Sequence, residues 1–339
     1  MTDNLPVGKL PPELMASLLG RAPCTDPRVL VGPGPGLDCA VVDTGGDHLL
    51  VLKSDPITFV ADDIGEYLVR INSNDIATTG AEPRWLLLTL LLPEDATPPE
   101  RAEVICEQVF AACREAGIAV IGGHTEVTHG LDRPIAVGAL LGEVARHRLV
   151  TPRGARPGDR ILITKGVPIE GTAILAGEFG DRLANALSAA ELAEARAYLT
   201  KPGLDVLADA RCALGAGRVT AMHDPTEGGV ATALWELAEA CGHTLVVAPE
   251  RIPVPDLARR VCAAFGLDPL ATIASGALLL TCPPADAEPI AGALAEAGIT
   301  CRDIGEVVAG DPSVCRPAES GGGPIARPAR DAIGAVYEA

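Results

Sequence analysis

Apolar and polar positions along the chain follow two periods in alternation, one of strands and one of helices. Residues 85–92, WLLLTLLL, are a dense apolar run that predicts a strand buried on both faces. Before it, HLLVLK at 48–53 reads as a short strand that Ser54, Asp55 and Pro56 bring to a stop. Another apolar strand, 39–42, follows the Gly-Pro alternation at 31–36, which cannot be regular structure. Ile64, Leu68, Ile71 and Ile76 recur at helical spacing and predict a helix over 63–79, stopped by Gly80. A second helix is expected over 98–116, ending at Gly117. A strand at 118–121 then runs into Gly122 and Gly123, and another follows at 134–144. One short amphipathic helix near 12–19 opens the chain.

The Arg- and Pro-rich stretch 146–159 reads as an exposed linker, after which the alternation restarts. Strands are expected at 160–164, 245–247, 277–282 and 301–308, with 220–222 leading into HDPTEGG. Helices are expected from 171–175 and over 189–199, 204–214, 230–240 and 285–297. The segment from Pro317, with Gly321, Gly322 and Gly323, reads as a mobile tail with a helical turn or two at 331–337. The organisation is therefore two α/β halves, 1–145 and 155–316, and a tail, 317–339.

A length of 339 residues with 48% hydrophobic and 21% charged content suits two globular domains. The net charge of −18 repels a phosphate backbone and argues against a nucleic-acid binder. No apolar run approaches the roughly 20 residues that span a bilayer, so no membrane association is expected. The first residues lack the pattern of a signal peptide, and the 10 cysteines form no C-x-x-C pair. Together these features predict a cytoplasmic protein with reduced thiols; Cys39 is expected to be a small buried hydrophobe.

The chemistry centres on acids at strand ends or in helices just after them. Asp38 follows a glycine-rich loop, Asp55 ends a strand, and Asp62 and Asp63 open the next helix. Asp75 lies inside that helix after Asn72 and Asn74, where propensity disfavours it. Inward carboxylates are costly unless paired or metal-bound, and Mg2+ takes oxygen ligands from carboxylates and phosphates. Two readings stay open on spacing alone. Asp38, Asp55 and Asp75 build a Mg2+–phosphate site; or Asp62 and Asp63 are helix caps, Asp38 a turn residue and Asp75 a solvated one. Gly34, Gly36, Gly122, Gly123, Gly228 and Gly229 flank loops where backbone N–H groups can approach an anion. Gly228 and Gly229 also precede a helix whose N-terminus favours negative charge. His124 is either close to a phosphate or a hydrogen-bonded loop histidine. There is no zinc motif and no G-x-S-x-G nucleophile.

Seven segments stand in order along the chain: GLDCAVV, LKSDPIT, ADDIGEYLVRINSNDIATTGAEPRW, IGGHTEVT, GARPGDRILITKG, HDPTEGGVATALWELAE and SGALLLTCPP. Together they resemble the superfamily of aminoimidazole ribonucleotide (AIR) synthetase, thiamine-monophosphate kinase, selenophosphate synthetase and the hydrogenase maturation factor HypE. The DPT-x-GG-V-ATAL and SG-x-LL patterns are most similar to the HypE branch. This resemblance implies a two-domain fold of mixed α/β sheets. The N-terminal domain would pair with its copy through a shared β-barrel, and the C-terminal domain would be an α/β sandwich. ATP and Mg2+ are the implied cofactors.

Carried over residue by residue, Asp38, Asp55 and Asp75 would bind Mg2+ and the ATP phosphates. Gly122, Gly123 and Thr125 match a GG-x-T nucleotide loop, and Asp224 matches the acid of the DPT loop, with Gly228 and Gly229 beside it. Asp55, Asp75 and His124 are the expected catalytic residues. The expected activity is phosphoryl transfer to an oxygen of a small-molecule or amide acceptor, with a hydrogenase-maturation partner. The alternatives are a kinase of the thiamine-monophosphate type and an ATP-controlled assembly protein. The sequence departs from HypE in three places. It ends AIGAVYEA where HypE has a Pro-Arg-Ile-Cys-like tail, leaving Cys315 as its last cysteine. It reads VGKLPPEL at 7–14 in place of the glycine-rich opening of HypE, and it carries His223 and Glu227 where HypE has arginines.

Overall fold

In the computed structural model, which describes residues 5, 8–34 and 36–338, the chain divides into two units. One holds residues 25–32 and 38–149. The other holds 150–338 with the described parts of 5–24 and 33–37, including helix α1 (Pro12–Leu19).

The first unit is a six-stranded sheet carrying two helices. Its elements are β1 (Val29–Val31), β2 (Ala40–Val42), β3 (His48–Ile57), α2 (Ile64–Thr78), β4 (Glu82–Pro93), α3 (Pro99–Ala116), β5 (Ala119–Thr128) and β6 (Ile135–Ala145). The strand order is β1-β2-β3-β6-β4-β5, antiparallel throughout except for the parallel pair β4–β5. Helix α2 forms because Ile64, Leu68, Ile71 and Ile76 bury one apolar face on the sheet.

Three expectations are corrected here. Strand β3 passes through Pro56 instead of stopping at it. Strand β2 pairs with β3 only as far as Leu52, so one edge of β3 is free beyond that point and tolerates a proline. Strand β4 is buried on one face, not both: Leu86, Leu88, Leu90 and Leu92 are buried, but Leu87 is 39% exposed. Strand β5 runs on through Gly122 and Gly123 to Thr128, so these glycines, His124 and Thr125 belong to an edge strand and not to a loop. A Cβ on residue 123 would lie 1.8 Å from the Leu88 carbonyl oxygen, so glycine is required there by close strand approach.

The second unit continues with β7 (Arg160–Thr164), α4 (Ile169–Glu178), α5 (Gly180–Leu183), α6 (Ala189–Arg196), α7 (Leu207–Ala216), β8 (Ala221–His223) and α8 (Gly229–Cys241). Then come β9 (Thr244–Val247), α9 (Asp256–Ala264), β10 (Leu279–Cys282), α10 (Pro284–Glu296), β11 (Cys301–Val308), β12 (Ser313–Cys315) and α11 (Gly334–Tyr337). Its sheet order is β12-β9-β11-β7-β10-β8, with only β12–β9 parallel. Ile161, Ile163, Leu234, Leu237, Leu245 and Leu279 form its centre, each burial contributing about 1.5–3 kcal/mol.

Two segments expected to be exposed or mobile are packed. Within the Arg- and Pro-rich stretch, Val150, Pro152 and Ala155 are buried. The tail returns to its unit: Trp235 Nε1 donates to the Ile325 carbonyl at 3.0 Å, Ile333 and Val336 are buried, and Tyr337 stacks edge-on against Phe179. Among the described residues, no helix is long and apolar enough to cross a membrane.

Candidate functional site

In the first unit, Lys53, Asp55 and Asp75 meet in one ion-paired cluster. Strand alternation sends Lys53 and Asp55, two residues apart, to the face that α2 covers. From above, α2 contributes a polar run, Asn72, Ser73, Asn74 and Asp75, every member of it buried. Lys53 Nζ lies 3.0 Å from Asp75 Oδ2 and 3.4 Å from Asp55 Oδ2, and Asp38 acts on the same ammonium. Burial alone would lower the pKa of Lys53. Asp75, Asp38 and Asp55 outweigh it and hold the lysine well above its ordinary value. Asp75 is 1% exposed, which excludes the solvated-face reading.

Neighbouring groups fix the two acids. Asn72 Oδ1 accepts from the Asp55 backbone N–H at 3.1 Å, and its Nδ2 donates to the Leu68 carbonyl at 2.9 Å. Gly138 lies opposite Asp55 on β6, and a Cβ there would come within 2.8 Å of Asn72 Nδ2. The missing side chain at 138 is the space that Asn72 fills. The Asp75 carbonyl accepts from the Thr78 hydroxyl at 2.7 Å and from the Cys39 thiol at 3.2 Å. Cys39 is thus a buried small side chain, as expected. Asp63 does take the N-cap position of α2, yet its side chain makes no cap bond.

His124 does not join this cluster. Asp55, Gly138, Leu88 and Gly123 form one row across β3, β6, β4 and β5, and the next row is Pro56, Val137, Thr89 and His124. His124 therefore projects from the opposite face, three strand spacings or about 14 Å away. There it meets Glu126 at 3.1 Å. Thr125 and both glycines share that distant edge strand.

In the second unit, Asp224 is fully buried just after β8, and His223 Nε2 lies 3.0 Å from Glu236 Oε2. Gly228 and Gly229 do not offer their amides to a ligand. The Gly228 N–H donates to Asp331 Oδ2 at 2.5 Å and the Gly229 N–H to the Thr226 carbonyl at 2.9 Å. Both adopt positive φ, and a Cβ on either would strike Thr232, Leu270 or Thr272. Their requirement for glycine is one of packing. Lys9 Nζ reaches Glu227 at 3.1 Å and the Thr226 hydroxyl at 3.0 Å. Burial pushes Glu170 up to about 8 and Asp331 up to about 6. Glu227, which burial would also raise, is held below its ordinary range by Lys9.

Lys53 and Asn72 were not singled out by the sequence reading. The signals were present: K-x-D in a strand shares one face, and Asn72 sits three residues before Asp75 on one side of a helix.

As a donor set, Asp38, Asp55 and Asp75 supply oxygens suited to a hard cation, and the fold already places a positive charge among them. Oxygen donors of this kind are the ones a hard cation such as Mg2+ takes.

Comparisons with known proteins agree with this architecture. The sequence matches the N-terminal domain of AIR synthase related protein over residues 36–144 and the C-terminal domain over 156–316. It is 32% identical over 261 residues to the carbamoyl dehydratase HypE of Cupriavidus necator, covering 75% of this chain and 70% of that protein. A hydrogenase expression/formation protein of Methanocaldococcus jannaschii, described as putative, is 31% identical over 250 residues, covering 72% of this chain and 70% of the relative. The crystal structure of the hydrogenase maturation protein HypE in complex with ATP superposes with a TM-score of 0.69 at 25% identity, covering 93% of this chain and 90% of that one. The fold is also that of a ThiL protein complexed with AMPPCP and TMP, at a TM-score of 0.71 and 20% identity, with 94% of each chain covered. The chain belongs to the AIR synthase related protein family, with HypE proteins among its relatives.

Proposed function

We propose that this protein is a homodimeric, ATP- and Mg2+-dependent enzyme of the HypE-like branch that phosphorylates an oxygen of an amide or carbamoyl group. The observation that carries this reading is the convergence of Asp55 and Asp75 on Lys53 beneath α2. Asp38, Asp55 and Asp75 would hold Mg2+, which when bound offsets the charge of the triphosphate oxygens. Asn72 fixes the backbone at Asp55, and the burial of Asp75 keeps water from competing for its carboxylate. Phosphorylation of an amide oxygen turns it into a leaving group; loss of phosphate and a proton then leaves a nitrile-type carbon. The names of the curated relatives, carbamoyl dehydratase and hydrogenase expression/formation protein, support this acceptor class and a maturation setting.

The acceptor would come from a small molecule or a partner protein. Cys315, the last cysteine, lies in β12, which pairs along β9. A homodimer fits the open edge of the first unit. Edge strand β5 exposes Ile121 at 54% and Val127 at 56%, and Leu87 on the adjoining β4 is 39% exposed. In this reading the N-terminal unit carries nucleotide, metal and dimer contacts.

Release of ADP by the purified protein with Mg2+ and a panel of amide acceptors tests the proposal. Steady turnover that Asp55→Ala and Asp75→Ala abolish is expected. ATP-dependent capture of a partner without turnover would support the assembly reading instead. Mass spectrometry after incubation with a carbamoyl donor protein reads the dehydration directly, as loss of one water from the carbamoyl group.

A further inference from the structure

Beneath α2, Asp75 and Asp55 both lie within ion-pair distance of the Lys53 ammonium, and Asp38 acts on it as well. Lys53 Nζ is 3.0 Å from Asp75 Oδ2, and Asp75 is almost wholly shielded from water. We infer that Lys53 is a resident cation that resists free divalent metal and couples metal entry to the arrival of a triphosphate. The inference rests on the proposed nucleotide site and names what controls its loading.

The reasoning is electrostatic. A divalent ion arriving alone must either displace the ammonium from Asp75 or sit beside it, and both cations repel in a partly buried site where screening is weak. A triphosphate changes this balance. It brings negative charge of its own and oxygen acceptors for the ammonium. The lysine's flexible four-carbon stem lets Nζ leave Asp75 for a phosphate oxygen without moving β3. Lys53 thus acts as a positioning residue. It holds the acids together before the nucleotide binds and yields Asp75 when metal and phosphates enter together. A purely structural ion pair makes the opposite prediction: its removal loosens the acids and weakens every cation's binding.

The test is Mn2+ binding by electron paramagnetic resonance, with and without AMPPNP, on the full chain and on Lys53→Met, Lys53→Gln and Lys53→Arg. The wild type is expected to bind free Mn2+ weakly and to bind it much more tightly with AMPPNP. Lys53→Met should bind free Mn2+ about tenfold more tightly than wild type, and the gain from adding AMPPNP should shrink by a similar factor. Lys53→Gln, which keeps a polar head, should follow Lys53→Met, whereas Lys53→Arg should follow the wild type. The inference is overturned if Lys53→Met and Lys53→Gln bind free Mn2+ no more tightly than wild type while still binding Mn2+ with AMPPNP. It is equally overturned if Lys53→Arg gains as much as Lys53→Met. If none of the four proteins binds Mn2+ with AMPPNP, the nucleotide reading fails, and this inference fails with it.

Discussion

The ammonium of Lys53 and the carboxylate of Asp75 meet at 3.0 Å beneath α2, joining the middle of β3 to the interior of the helix. The two acids that Lys53 touches are not equivalent. The Asp55 side chain is 34% exposed, whereas that of Asp75 is almost fully enclosed. Asp75→Ala leaves a buried ammonium without its nearest partner and should cost about 3–5 kcal/mol in urea unfolding. Asp55→Ala removes a longer, more solvated pair and should cost about 1 kcal/mol or less. Equal losses would mean that Lys53 does not depend on Asp75 for its place.

Gly138 supports the same site from below. Its Cβ would come within 2.8 Å of the Asn72 amide, so Gly138→Ala must push Asn72 away from the Asp55 backbone. A destabilisation of about 1–3 kcal/mol is expected, with nucleotide affinity falling in step. Asn72→Ala opens that space, so the double variant Gly138→Ala with Asn72→Ala should lose less than the two single losses combined. Strict additivity would place the strain elsewhere.

Much of this arrangement was legible in the sequence. Helical spacing identified α2, and the misfit of an aspartate inside it marked Asp75. Asp55 drew notice as an acid at a strand end, although β3 runs on past it to Ile57. What escaped was tertiary. Gly122 and Gly123 resemble a phosphate loop, but both lie within strand β5, and Gly123 serves its close approach to β4. Gly228 and Gly229 precede a helix as anion sites do, yet a carboxylate from the tail, Asp331, takes the Gly228 amide. Local pattern cannot reveal a partner from a distant part of the chain. For the same reason it gave no sign that His124 would face away from Asp55.

The second unit should lose stability as pH rises. Glu170, pushed up to about 8 from 4.5, and Asp331, pushed up to about 6 from 3.8, each bind a proton more tightly folded than unfolded. The folded state therefore gains most at low pH. That advantage drains away between about 4 and 6 for Asp331 and between about 4.5 and 8 for Glu170. Thermal unfolding followed from pH 5 to pH 8.5 should show a falling midpoint. Glu170→Gln, which stays neutral and can still accept from the Ser275 N–H, should flatten the profile and raise the midpoint at pH 8.5. A profile unchanged by Glu170→Gln would contradict this assignment.

The open apolar edge of β5 predicts a dimer. Light scattering should give about twice the 34.8 kDa of one chain, and Ile121→Glu with Val127→Glu should return it to the single-chain mass while leaving α2 and its acids folded. A single-chain mass for the unaltered protein would remove the dimer from the account.

The central claim is that Asp55 and Asp75, with Asp38, hold the metal of a bound nucleotide triphosphate. Isothermal titration of Mg2+–AMPPNP into the full chain tests it most directly, with the near-isosteric Asp75→Asn and Asp55→Asn run alongside after circular dichroism has confirmed that each is folded. The account predicts saturable heat for the unaltered protein and at least about a hundredfold weaker binding in either variant. No heat in the unaltered protein, or undiminished affinity in Asp75→Asn, would contradict it.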